Sequence, residues 1–345
     1  MINYKRVISN IMNTCPSRRD FLKWITKLCV LASGMTRTAF SFAGNAQTIT
    51  GKDEKTTVVI AKRPEVYSAS GELSSSVVKQ MIDAGITKLT GISDVNKAWL
   101  FIFKPEETIG IKVNAVGGRN ICTHHEVAYA VANSLVSAGI KPYRIIIWDR
   151  LTEELRRGGY TINRDENALR CFGTDGDYER EPETSGSIGS CFSSIISRRC
   201  EALISIPVLK DHDLSGISIN LKNFYGAIHN PNKYHDNGCD PYIADLNSHP
   251  YIKDKLRLII CDGLTALYNG GPGFKPQWVW KYKGLLFSRD PVAIDQVGCH
   301  IIDEQRKVKG LQTFAEAGRF PKHIQTAAKL NLGIADPAKI TTVLA

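Results

Sequence analysis

The sequence predicts an α/β fold: a mostly parallel sheet with helices on both faces, in a single large domain with loop insertions. Three observations carry this reading. Short apolar runs recur at residues 56–61, 108–113, 143–148, 202–208, 255–261 and 284–288, and runs of this length bounded by Pro, Gly or charge read as strands. A helical pattern lies between the second and third runs, which is the parallel crossover signature. Several runs also end on polar residues, as strands do where an α/β sheet meets its ligands.

The elements follow in order. Residues 56–61 (TTVVIA) form a β-branched first strand. Residues 77–84 are helical in pattern, with Gly85 as the expected C-cap. Residues 95–103 form an apolar helix before Lys104-Pro105. The strand TIGIKV delivers Lys112 and Asn114 at its carboxyl end. Thr123 and Glu126 make a capping box for a helix with apolar positions Val127, Val131 and Leu135, ending at Gly139. YRIIIW then runs into Asp149.

Residues 151–186 are polar and read as a surface excursion. Residues 188–199 are expected to be a crossover helix. The stretch 202–229 is the centre of the chain: a buried strand, then Lys210, Asp211, His212 and Asp213, a short apolar alternation, and Lys222, Asn223 and His229. Residues 230–249 read as irregular. The strand that follows ends at Asp262-Gly263. A last strand ends at Arg289, with Asp290 capping a helix that has Pro291 at its first position.

The chain has 345 residues, 43% hydrophobic, and a formal net charge of +10. Residues 1–45 hold seven of the basic residues and one acid, Asp20, which leaves 37 basic against 33 acidic residues beyond them. That balance lacks the clustered basic face of a nucleic-acid binder, so no nucleic-acid partner is expected.

The N-terminus reads as an address. Ser17-Arg18-Arg19-Asp20-Phe21-Leu22-Lys23 resembles the twin-arginine export motif, and a weakly apolar stretch at 24–35 and small residues up to Ala46 follow it. The expected division is a signal and cleavage region over 1–46 and an α/β domain over 47–345. The apolar stretch is too short and too polar for a stable membrane span. The resemblance implies the twin-arginine translocase as a partner during export and a periplasmic or otherwise exported mature protein.

Seven cysteines lie beyond residue 46, and none has the C-x-x-C spacing of a zinc ribbon or iron–sulfur site. Cys191 and Cys200 are the nearest couple for a disulfide in an oxidising compartment. There is no nucleophile elbow, Walker loop or His-Glu-x-x-His motif.

Chemistry is therefore expected at the strand ends. Lys112, Asn114, His124, Lys222, Asn223 and Asp262 are the expected ligand-binding residues, because Lys and Asn beside backbone amides suit an anion. Lys210, His212 and His229 are the expected catalytic residues. His212, His229 and Asp262 are also of the types that ligate a metal ion or move protons. His235, His249, His300 and His323 are read as structural. Any one polar strand end is more often a solvated terminus than a catalyst, and only the conjunction argues for a site.

The ordered blocks IKVN (111–114), THHEV (123–127), IPVLKDH (206–212), LKNFYG (221–226), Asp262-Gly263, Gly271-Pro272 and DPVAID (290–295) resemble the family called domain of unknown function 362, over about residues 100–335. The resemblance supplies no catalytic residue. Some members of that family carry a cysteine-rich iron–sulfur segment, which is missing here. The strand-end residues point to an enzyme that binds an anionic substrate or cofactor, with a metal ion as a further candidate, and family association and export route alone imply a redox-related role. The alternative is a non-catalytic periplasmic carrier or cofactor-assembly protein on the same pocket.

Overall fold

The structure, a computed structural model, describes residues 55–345. The expected signal and cleavage region lies outside the described residues.

The sheet is built from β1 (Thr56–Lys62), β2 (Ile109–Val113), β3 (Ile145–Asp149) and β4 (Arg170–Gly173), with β5 (Glu183–Ser185) and β6 (Ile188–Ser190) forming a separate hairpin. It continues with β7 (Ala202–Ile206), β8 (Val208–His212), β9 (Gly216–Ile217), β10 (Leu256–Leu267), β11 (Val279–Trp280), β12 (Gly284–Ser288) and β13 (Ile340–Leu344). The order is β13-β1-β12-β10-β7-β2-β3-β4, with β8, β9 and β11 attached beside β10. Along that path only β12 pairs antiparallel with its neighbours, while β10, β7, β2, β3 and β4 pair parallel. The sheet is thus mixed and mostly parallel.

The pleat sorts the apolar residues to two faces. Val59, Ile145 and Ile147 pack with Met81, Trp99 and Val131 of α1 (Ser75–Thr90), α2 (Val95–Ile102) and α3 (His125–Ser137). Their sequence neighbours Val58, Ile60, Ile146 and Trp148 face the other way. They belong to a core closed by α4 (Pro291–Val308), α5 (Lys322–Lys329) and the segments on either side of residue 228.

Several local expectations are corrected. Helix α1 runs through Gly85 and ends at Gly91, whose φ of +73° is the left-handed cap. Gly85 serves packing instead: a Cβ there would stand 2.3 Å from the Phe287 ring. Thr123 does not cap α3, because His124 occupies the cap position. The Thr123 hydroxyl instead accepts from Asn114 N and donates to Ile206 O, tying the loop after β2 to the end of β7. The 151–186 excursion contributes β4 to the sheet, with Cys171 and Phe172 buried. The expected crossover helix at 188–199 is a short strand followed by one wide helical turn, Ile195–Arg199. Residues 230–249 include the helix Tyr242–Asn247. Asp290 caps α4 as expected, its Oδ1 accepting from Val292 N and Ala293 N.

Two departures shape the site. The single strand expected over 202–208 is broken at Pro207, which cannot donate to a ladder. Beyond it the chain resumes as β8, so Lys210, Asp211 and His212 lie past the edge where β7 stops. Asp262 is not at a strand end: β10 continues to Leu267, and at Asp262 its partner changes from β7 to β8. Pro207 O accepts the Asp262 N–H at that crossover, at 2.8 Å.

Among the described residues, no helix is long and apolar enough to cross a membrane.

Candidate functional site

Four of the expected residues, Lys112, Asn114, Lys210 and Asn223, meet with Asp149 beyond the carboxyl ends of β2, β3 and β7. Lys112 Nζ lies 2.6 Å from Asp149 Oδ1 and also donates to Val113 O and Asn223 Oδ1. These three acceptors use all three of its protons. Asn223 bridges onward: its Oδ1 accepts from Asn114 Nδ2, and its Nδ2 donates to Ser205 Oγ. Asn114 Oδ1 then accepts from Lys210 Nζ at 2.8 Å. Gly226 seals the near side of this network, since a Cβ there would stand 2.7 Å from Asp149 Oδ1 and 2.9 Å from Lys112 Nζ.

Lys112 and Lys210 are alike in sequence and opposite in chemistry. Lys112 is buried against a buried carboxylate. Lys210 is fully buried and bonded only to Asn114 Oδ1 and Val116 O. Among the described residues no carboxylate comes within ion-pair distance of it. Burial therefore pushes its ammonium down to about 8; the more distant Asp149 carboxylate opposes this, and the charges of Lys112 and Lys222 add to it.

Lys222, also buried, has the same shortage. Its Nζ lies 3.1 Å from His235 Nε2 and 4.0 Å over the Tyr225 ring, and burial pushes it down to about 8. His235 Nδ1 faces Pro231 O, which can only accept, so the ring proton sits on Nδ1 and Nε2 receives the lysine.

His212 stacks on His235, with ring centroids 5.8 Å apart. Its Nδ1 accepts the backbone N–H groups of Leu214 and Ser215. The neutral ring then carries its proton on Nε2, a donor with no protein acceptor among the described residues. Burial and the nearby lysines hold this imidazole neutral, with the pKa pushed down to about 2. His323 is completely buried, and both its ring nitrogens lack a hydrogen-bond partner. Burial and Lys222 push it down to about 3.

A second group adjoins through the Asn114–Thr123 link. Asp262, fully buried, accepts from both the backbone N–H and Nδ1 of His124 at 2.8 Å. His124 Nε2 faces Tyr67 OH at 3.4 Å, and Tyr67 OH meets Thr265 Oγ1. Burial alone would lower His124, but the Asp262 carboxylate more than offsets it and the net shift is upward. The Cys122 thiol lies within the fields of both Asp262 and Lys210, and burial pushes it up to about 12, so it stays a thiol.

His229 does not join this network. It is exposed, and its Nδ1 lies 3.2 Å from Ser190 Oγ and from Cys191 N. Asp211 is also built into the frame: Oδ1 takes the Gly271 N–H and Oδ2 takes Arg319 Nη2. Among the described residues no trio of His, Cys, Asp or Glu is arranged to hold a metal ion. All seven described cysteines, Cys191 and Cys200 included, are free thiols.

Sequence reasoning passed over Tyr67, His235 and His323. His235 reaches Lys222 through the turns after Asn230, and His323 arrives on α5, about 110 residues from His212 in the chain. Nothing in the local pattern at either position signals these contacts.

A model of the family described as Domain of unknown function (DUF362) matches residues 109–300, more than half of the chain. No curated protein matches. A crystal structure of a protein from Thermotoga maritima aligns at 12% identity and a TM-score of 0.37, over 58% of this chain and 53% of that one. The match thus spans about half the length of that protein.

Proposed function

The chain belongs to the family described as Domain of unknown function (DUF362), and on that premise we propose that it binds a small anion at the carboxyl edge of its sheet. The donors are the ammonium groups of Lys210 and Lys222 and the Nε2–H of His212. One observation carries the reading: two buried lysines, linked through the stacked rings of His212 and His235 and near enough for the charge of Lys222 to act on Lys210, have no carboxylate within ion-pair distance among the described residues. An unpaired buried cation is costly, and a fold that keeps two of them together is suited to receive the missing negative charge from a ligand. Lys112, Asn114 and Asn223 are the frame that positions Lys210, and Lys112 itself has no proton to spare.

The His124–Asp262 pair gives the site an acid–base group. Asp262 fixes the ring by its Nδ1 and leaves Nε2 to exchange a proton beside Tyr67. This supports an enzyme that moves a proton on its bound anion. A carrier would need the anion site and not the dyad. A redox role rests on family association and export route alone.

Calorimetric titration with inorganic phosphate at pH 7.5 tests the site. Binding to the wild type that is lost in Lys210→Met and Lys222→Met is the expected result. Equal affinity in all three proteins overturns it.

Export by the twin-arginine route is part of the proposal, on the motif at 17–23. Cell fractionation of the full chain with Arg18 and Arg19 both changed to Lys checks it. The substituted chain is expected to stay in the cytoplasm, and unchanged export would remove this part.

A further inference from the structure

We propose that the anion is a phosphate monoester carrying an apolar group, with the phosphate on Lys210, Lys222 and His212 and the apolar group against the loops around β8. The inference rests on the anion-site reading above and extends it to a ligand class.

The phosphate follows from charge and donor count. Nearby carboxylates are already engaged: Asp149 with Lys112, Asp262 with His124, Asp211 with Arg319 and Arg306, and Asp303 also acting on Arg306. Asp295 accepts the Asn220 and Leu221 N–H groups, and burial favours its neutral form. His212, His235 and His323 are disfavoured as cations by burial. The uncompensated charge is therefore that of two ammonium groups. A monocarboxylate would neutralise one. A phosphate monoester, whose second pKa is about 6, is close to a full dianion at neutral pH and brings three oxygen acceptors. Lys210 has one unused proton and His212 has its Nε2–H, while Lys222 has only the His235 nitrogen and the Tyr225 face.

The apolar group follows from where large hydrophobic side chains are left in water. Ten such residues are exposed among the described ones, and four of them sit on loops bonded directly to residues 210–212: Val116 (41%), Leu214 (56%), Phe274 (39%) and Phe320 (39%). Val116 O accepts from Lys210, and Leu214 N donates to His212. Gly271, three residues before Phe274, exchanges hydrogen bonds with Asp211 and Asp213. Arg319, next to Phe320, donates to His212 O and Asp211 Oδ2. Singly exposed hydrophobic residues are ordinary. Their concentration on the loops that carry a buried cation site suits an amphiphilic ligand.

The test compares inorganic phosphate, phenyl phosphate and phenyl sulfate by calorimetry at pH 7.5 on the wild type, Phe274→Ser and Phe320→Ser. Phenyl phosphate is expected to bind at least tenfold tighter than inorganic phosphate and tenfold tighter than phenyl sulfate, which has the same ring and one charge. The serine variants, which change none of the three proposed phosphate donors, are expected to lose the advantage of the ring and to keep the affinity for inorganic phosphate. Inorganic phosphate binding as tightly as phenyl phosphate overturns the apolar part. Equal binding of phenyl sulfate overturns the dianion. Binding of none of the three overturns the underlying anion site instead. Co-sedimentation with phosphatidic acid vesicles, but not phosphatidylcholine vesicles, would assign the ester to a membrane lipid, and its absence alongside phenyl phosphate binding to a soluble ester.

Discussion

Lys112 Nζ lies 2.6 Å from Asp149 Oδ1, and that bond separates two lysines that strand-end reasoning treats alike. Lys112 is paired and saturated, whereas Lys210, joined to the same network through Asn114, is not. The first holds the fold, and the second is the one proposed to meet a ligand.

Substituting the paired lysine is therefore expected to damage the protein itself. Lys112→Met leaves Asp149 buried without its cation, at a cost of about 3–5 kcal/mol. Urea unfolding measures it, with a lower midpoint expected and an unchanged slope.

Lys210→Met is expected to behave in the opposite way. It removes a buried charge that the fold does not neutralise, so unfolding stability at pH 7 should hold or rise by about 1–3 kcal/mol while phosphate affinity is lost. A stability loss as large as that of Lys112→Met would mean that Lys210 has a structural partner.

Affinity should depend on pH. Lys210 and Lys222 both sit near 8, so both lose their charge between pH 7.5 and 9.5, while inorganic phosphate goes from mostly to fully dianionic and so cannot itself cause a loss of affinity. Affinity for inorganic phosphate is expected to fall at least tenfold over that interval, as read by calorimetry. A flat profile would contradict the assignment of these two donors.

Asp295 gives a stability profile of definite sign. Burial pushes its carboxyl up to about 8, so the folded state holds a proton that the unfolded chain releases near pH 4. Wild-type stability should then decline as pH rises from about 4 to 8, by at most about 1.4 kcal/mol per pH unit for this group. Asp295→Asn has no such proton, so its stability relative to the wild type should improve across the same window. Parallel profiles would show that the carboxyl is ionised in the fold.

Two glycines fix the backbone around the site. A Cβ on Gly271 would stand 1.8 Å from Asp211 O, and one on Gly226 would press on the Lys112–Asp149 pair. Gly271→Ala meets rigid backbone and should cost about 3 kcal/mol or more; Gly226→Ala should cost about 1–3 kcal/mol. Thermal unfolding ranks the two.

The fold was legible where the pleat was long enough to leave a pattern. Runs such as IIIW and LISI alternate between two buried faces and declare a strand covered on both sides. β4 was not legible, because four residues inside a polar stretch carry too little periodicity. Gly85 misled because a glycine in a helical pattern serves equally as a stop or as a close contact, and only the Phe287 ring decides. Lys112, Asn114, Lys210 and Asn223 could be read as a group from their places after strands. His235 and His323 could not, since each reaches the site by packing of distant segments. His229 shares the motif's neighbourhood in sequence, yet its bonds are to Ser190 and Cys191.

The most direct measurement is an NMR titration of the Lys210 side chain, followed at its ε-carbon and assigned by Lys210→Arg, with and without inorganic phosphate. The account predicts a value near 8 in the free protein and an upward shift when phosphate binds, because the anion favours the charged amine. A lysine that titrates near 10.5 in both samples would contradict it.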